Sequence, residues 1–548
     1  MKKLISALLI FCTLLSIVAC NKGDENKKPA KPANIIAFAT HSYDKYIANI
    51  KPKGDFSTDY TVYMLKGETE GCQLAIYSDQ AVKKVEFVTV SGENEHLTTE
   101  IFSMDRTHAI KRKAYLDSTM PYGKKDVALE KSKVLPFIVE FKTTADTPAG
   151  EYKYVFSIND ASGKKSVPMA TYTVTVHVWD IVLPEEKTFA TAGGLGHGWV
   201  SHFKGTYKDW YETALQHNIS SYDIPVDILS DEADAYLNDP RMTSFQMPIP
   251  KNEDKSINEE KLLQYYEKIK SNPVWLSKAY FYPIDEPREV EHLQELRQWE
   301  ETLGRLCPGI DVCAPFYTNI QLGDNKDQTE DMMDYTTLWC PKLCLWDDSQ
   351  SYDKYLSYKP EKTFHERMDE QIAEGDRMWS YVCNAPDDPY AQMFIDTEGA
   401  NQRLMFWQFW QRDIDGFLYW SINYYGYKEG PNAFDQGIKN PTMQNPWKTV
   451  NTKIPSDKGT IYGCGFLFYP GQDVGYGGAV PSIRAKIVRD GCDDIELLNL
   501  AEQYLGKEWL LEKTYKATPS LTEFVDADKF AAFRIEIGNA LEAALKNQ

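Results

Sequence analysis

Asp285 and Glu286 stand side by side after the apolar run Ala279-Tyr-Phe-Tyr-Pro-Ile284, and Pro287 follows them. Two adjacent carboxylates are costly, because like charges raise one another's pKa. Successive residues of an extended chain point in opposite directions, so the pair need not chelate one ion. One carboxyl can act as an acid on a scissile oxygen while the other orients a different group. The competing reading is a helix cap, since acidic residues suit the first turn of a helix starting near Pro287.

A second group of residues suits binding. Gly193-Gly-Leu-Gly-His-Gly-Trp199 lacks the final glycine of a dinucleotide fingerprint and reads as a sugar-contact loop holding His197 and Trp199, against a plain turn. Tyr317 and Asn319, Trp346, Tyr381, and Trp420, Asn423 and Tyr424 recur at the ends of other apolar runs. Aromatic faces stack on sugars and amides hydrogen-bond their hydroxyls, although each of these residues taken singly suits packing as well. The sequence has no Gly-x-Ser-x-Gly elbow, phosphate-binding loop or His-Glu-x-x-His. The acidic stretch 324–334 lacks the spacing of a calcium loop. The expectation is therefore no metal site and no cofactor.

These groups need a scaffold that brings them together. Eight strand segments (188–192, 219–224, 244–248, 278–284, 311–317, 337–344, 377–383 and 416–422) alternate with helical stretches, the pattern of a (β/α)8 TIM-like barrel. Barrel enzymes place their active groups at the C-terminal ends of the strands, and the fourth segment leads into Asp285-Glu286. Before the barrel, residues 34–184 alternate with period two in short strands between turn clusters, which indicates a β-sandwich. The chain is thus read as multidomain: a sandwich over 34–184, a catalytic barrel over 185–505 and a helical tail over 506–548.

At 548 residues the chain is too long for one ordinary domain of about 150 residues. Its 60 basic and 80 acidic residues give a charge of -20, which argues against a nucleic-acid partner. Lys2 and Lys3 precede an apolar run ending in Ile17-Val-Ala-Cys20, a secretory signal over 1–20 that is shorter than the roughly 20 residues of a membrane span. Its cysteine makes it resemble a bacterial lipoprotein signal, with Cys20 lipidated and 21–33 a flexible tether. The protein is expected in the cell envelope, held to the outer membrane through that lipid alone. The other eight cysteines lie mostly in apolar runs and read as buried free thiols.

Several patches in order resemble glycoside hydrolase family 123: Asp285-Glu286-Pro287, Asp415-Gly-Phe-Leu-Tyr-Trp-Ser-Ile-Asn423, Gly465-Phe-Leu-Phe-Tyr-Pro-Gly471, Pro481-Ser-Ile-Arg484 and Val488-Arg-Asp-Gly-Cys-Asp-Asp494. The sandwich closing at Leu183-Pro184 is similar to that family's N-terminal domain, and the resemblance spans about residues 34–505. It implies a retaining β-N-acetylgalactosaminidase acting on glycans, in which the substrate's own 2-acetamido oxygen attacks the anomeric carbon to give an oxazoline. Under that resemblance Asp285 orients the acetamido N–H, and Glu286 protonates the leaving oxygen and then activates water. The alternatives are a glycosidase of other sugar specificity on the same scaffold, or a surface lipoprotein that binds glycans without turnover. No protein partner or oligomeric state is assigned.

Overall fold

The computed structural model describes residues 34–547 except 124, 348–352, 354–355, 431–432, 434–435 and 453–460. The signal, the tether and Cys20 lie outside the described residues.

The N-terminal part stacks two five-stranded sheets. In one, Thr69–Ser78 and Lys133–Lys142 pair antiparallel along their whole length. In the other, Gly150–Asp160 and Val167–Val182 form a long hairpin, with Asp59–Lys66 added parallel to its second strand. Alternate residues Tyr172, Val174, Val176 and Val178 are buried and meet Leu74, Ile76, Phe137 and Val139 of the facing sheet. This is the period-two burial of a sandwich core.

After the sandwich, seven parallel strands wind into a barrel: β1 (Ala190–Gly193), β2 (Phe245–Gln246), β3 (Ala279–Phe281), β4 (Asp311–Phe316), β5 (Leu338–Pro341), β6 (Arg377–Tyr381) and β7 (Gly416–Tyr419), in the order β1-β7-β6-β5-β4-β3-β2. The predicted segment 219–224 fills the gap between β1 and β2 with one parallel bridge, Gly193 to Ser221, rather than a ladder. Gly193 N–H donates to Ser220 O at 2.7 Å, and Gln246 N–H donates to Tyr222 O at 2.8 Å. The chain bends at Tyr222, and Pro225 has no N–H to extend the pairing.

Inward and outward faces follow the alternation of each strand. Tyr280, Cys313, Leu338, Cys340, Trp379 and Leu418 form a single buried cluster. Residues from five different strands can share one cluster only inside the barrel. Their neighbours Phe281, Val312, Trp339, Met378 and Phe417 face the surrounding helices.

Two predicted boundaries shift at the fourth segment. The ladder of β3 stops at Phe281, because Pro283 cannot donate to it, so Asp285 and Glu286 stand on the loop above the strand. The next helix, Val290–Leu306, begins beyond Pro287 and has Glu289 at its N-cap position. Neither Asp285 nor Glu286 caps it.

The helix Ile483–Leu505 ties the parts together. Arg484 is fully buried and pairs through Nε and Nη2 with Asp117 of the sandwich region, both at 2.8 Å, while its Nη1 donates to Met393 O and Gly463 O. Asp494 accepts from Arg403 and from Arg534 of the C-terminal helix Ala527–Lys546, and Arg534 also reaches Glu68 of the sandwich. The residues after 506 are therefore docked on both larger parts. Buried cations of this kind persist only when paired and hydrogen-bonded. Among the described residues the eight cysteines that the sequence leaves as thiols form no disulfide, and six are buried.

Candidate active site

The residues at the mouth follow from the inward parity of the strands. Beyond Tyr280, Leu338 and Cys340, Trp379 and Leu418, the same faces continue to Tyr282, Lys342, Tyr381 and Trp420. Tyr282 and Tyr381 join the interior aromatic cluster, and Trp420 is half-buried above it.

The carboxyl pair sits among these side chains. Asp285 is exposed, and its Oδ1 accepts from the Tyr282 hydroxyl at 2.8 Å. Glu286 is half-buried, and its Oε1 accepts from the Tyr381 hydroxyl at 2.5 Å. β6 lies three places from β3 in the sheet, with β5 and β4 between, so Glu286 reaches across the mouth. Adjacent carboxyls are thus fixed by different strands. The backbone at Glu286 has φ of +44°, a left-handed conformation that is uncommon outside glycine and concentrates where function demands it.

Burial pushes the Glu286 carboxyl above the usual carboxylate range. The Tyr381 hydroxyl opposes that rise by bonding the charged form, Asp285 adds to it, and Lys342 and Arg288 oppose it. A carboxyl with a raised pKa keeps its proton to higher pH and can deliver it to a leaving oxygen.

Other predicted residues stand around the mouth. Tyr317 is half-buried beyond the end of β4; its hydroxyl accepts from Arg288 Nη1 at 3.3 Å, and Lys342 Nζ lies 4.5 Å from its ring centroid. Trp420 and Tyr424 lie 5.1 Å apart with tilted rings, both half-buried. Gly465 supports this wall: its φ is +80°, and a Cβ there would fall 2.4 Å from the Trp420 ring. His197 is exposed, stacks on Tyr207 at 3.9 Å and brings Nε2 to 3.8 Å from Asp223.

Four other predicted residues are more deeply packed. Asn319 is completely buried; its amide donates to Asp353 at 2.9 Å and its oxygen accepts from Thr329 N–H at 3.2 Å, so it fixes the loop after β4. Asn423 is also completely buried and clamps Gly196, accepting from its N–H at 2.8 Å and donating to its carbonyl at 3.2 Å. Trp346 points outward from a 3-10 turn and packs edge-on against Phe364 and His365. Trp199 lies beneath Tyr424, Tyr425 and Tyr427 with little exposure. In the structure these four side chains brace loops and walls.

Sequence reasoning passed over Tyr282, Lys342 and Arg288. The period-two signal places the first two at the mouth, but no sequence pattern marks a cation there. No cluster of three potential metal ligands occurs among the described residues.

The carboxyl pair reaching across the mouth of the parallel barrel, beside aromatic rings, is the candidate active site. The sequence model described as glycoside hydrolase 123, catalytic domain, matches residues 212–501. The chain belongs to glycoside hydrolase family 123. A solved family 123 glycoside hydrolase from Clostridium perfringens, described in work on glycolipid glycan hydrolysis, is 12% identical with a TM-score of 0.60, over 94% of this chain and 98% of that one. That likeness carries the fold. The N-terminal domain of PorA is 10% identical over 27% of this chain and 99% of its own, with a TM-score of 0.16. A Bacteroides uniformis β-glucuronidase is 10% identical over 65% of this chain and 44% of its own, with a TM-score of 0.23. No curated protein matches.

Proposed function

We propose that this glycosidase releases β-linked N-acetylgalactosamine with retention of configuration, using the substrate's acetamido group as nucleophile. The carrying observation is the divided support of Asp285 and Glu286: one carboxyl is exposed beside Tyr282, and the other is raised by burial and held from across the mouth by Tyr381. Such a pair can attend two different atoms of one sugar. The acetamido oxygen attacks the anomeric carbon, the bond to the leaving oxygen breaks, and Glu286 gives that oxygen its proton. Asp285 accepts from the acetamido N–H and balances the positive charge of the ring that forms. Glu286, now a carboxylate, takes a proton from the water that opens the oxazoline from the opposite face. Two inversions leave the product β. This route belongs to the recognised exceptions to schemes with a protein nucleophile.

The aromatic wall of Trp420 and Tyr424 suits the apolar face of the sugar. The same reading holds the enzyme at the outer membrane through lipidated Cys20, supported by the basic, apolar and cysteine-terminated start of the chain. No helix among the described residues is long and apolar enough to cross a membrane.

A panel of aryl glycosides tests the chemistry. Turnover should require the 2-acetamido group and favour the galacto over the gluco configuration. Comparable hydrolysis of a plain β-galactoside would overturn the neighbouring-group mechanism, and preference for the N-acetyl-glucosaminide would reassign the sugar.

A further inference from the structure

The mouth holds two cations that its chemistry does not explain. Lys342 enters from the end of β5 and lies over the Tyr317 ring at 4.5 Å. Arg288, two residues beyond Glu286, is exposed and steadied by its 3.3 Å bond to the Tyr317 hydroxyl. Among the described residues neither cation has a carboxylate partner at ion-pair distance. In the loop after β4, by contrast, Lys326 pairs with Asp331, which Arg297 shares. In a chain of charge -20, two unmatched cations beside the acid need a reason.

Tuning of Glu286 is not that reason. Both cations favour its ionised form, the wrong direction for a proton donor. Arg288 is also in solvent, where screening weakens its effect on a neighbour. Guanidinium and ammonium groups around a phenol are, by contrast, well suited to an oxyanion: the fork donates in a plane and the ammonium adds a point charge.

We propose that Arg288, Tyr317 and Lys342 form a subsite for an anionic substituent, a carboxylate or a sulfate ester, on the sugar whose oxygen Glu286 protonates. The inference rests on the proposed role of Glu286 as proton donor, which puts the groups acting on it at the leaving side. Binding of the anion neutralises both cations, leaving burial, Asp285 and the Tyr381 hydroxyl to set the acid. The substrate thereby removes the influence that held the acid down. A neutral leaving sugar forgoes this.

Three disaccharides test it, each with β-N-acetylgalactosamine linked to a leaving sugar that is a neutral hexose, its hexuronic acid or its sulfate ester. At low salt, kcat/KM should favour at least one anionic substrate by about tenfold or more, equivalent to about 1.4 kcal/mol. The lead should shrink at high salt, and the stronger of the two arms identifies carboxylate or sulfate as the preferred anion. Lys342→Met and Arg288→Met should each reduce the anionic-to-neutral ratio, and exposed Arg288 keeps the test valid if the Lys342 variant unfolds. Equal kcat/KM for all three, with the neutral disaccharide cleaved, would overturn the subsite and leave the proposed function standing. If no disaccharide is cleaved, and the aryl N-acetyl-galactosaminide is also inert, the proposed function fails. Calorimetry with the free hexuronic acid and the sulfated hexose then decides the subsite: binding lost in Arg288→Met upholds it, and no binding by wild type overturns it.

Discussion

Replacing Tyr381 with Phe removes the one hydrogen bond that the Glu286 carboxyl makes among the described residues, while keeping the ring in the barrel interior. That bond favours the ionised form, so its loss should raise the pKa of Glu286 beyond the rise that burial already causes. A hydrogen bond to a charged group is worth about 1.5–3 kcal/mol, and one pKa unit corresponds to about 1.36 kcal/mol. If the whole bond fell on the ionised state, the shift would be about one to two units. The protonated carboxyl also bonds the phenol, and water reaches a half-buried group, so a shift of about one unit is expected. The acid is active when protonated, so the alkaline limb of kcat/KM moves to higher pH by that amount. The assay is kcat/KM against pH on a glycoside with a poor leaving group, where protonation matters most. Below the limb the rate should fall modestly, because the carboxyl loses an anchor. An alkaline limb that stays in place, or moves to lower pH, would refute the assignment of Glu286 as the acid held by Tyr381.

Two further outcomes follow from other parts of the molecule. Arg484→Met leaves Asp117 buried without its cation, and breaking such a pair typically costs about 3–5 kcal/mol; denaturant unfolding should show that loss, and pairing it with Asp117→Asn should recover part of it. An unchanged midpoint in Arg484→Met would mean that the joint between sandwich and barrel does not rest on this pair. Cys20→Ala should move the protein from the membrane fraction to the soluble fraction with its specific activity kept, and retention in the membrane would refute lipid anchoring.

The barrel is legible because its apolar runs are short and separated by amphipathic helices such as Val290–Leu306, which buries Leu293, Leu296, Leu303 and Leu306 on one side. Where the run is weakest, at 219–224, the ladder shrinks to one bridge. Local chemistry also trims β3, since Pro283 ends the pairing that the apolar pattern continues through Ile284. The place of the carboxyl pair, just beyond a strand, is legible in the sequence. The tyrosines that hold the pair are only half so: the sequence marks Tyr381 as a sugar contact, and its partner across the barrel depends on strand order. Asn319 and Asn423 show the limit more sharply. A buried amide that clamps a loop carries the same groups as one that binds a hydroxyl, and only the fold tells which backbone it meets. The patches Pro481–Arg484 and Val488–Asp494 likewise mark a buried joint of charges rather than the site.

The division of labour between the two carboxyls is the centre of the account, and leaving-group dependence measures it directly. In Glu286→Gln, kcat/KM on a poor leaving group should fall by about 10²–10⁴-fold, as for loss of a general acid. An activated aryl glycoside, which needs little protonation, should lose much less. Asp285→Asn should instead impair both substrates alike, because closure of the oxazoline precedes any benefit from a good leaving group. If the leaving-group dependence appears in Asp285→Asn and the uniform loss in Glu286→Gln, the roles are reversed; if neither substitution changes either rate, the pair is not the catalytic centre.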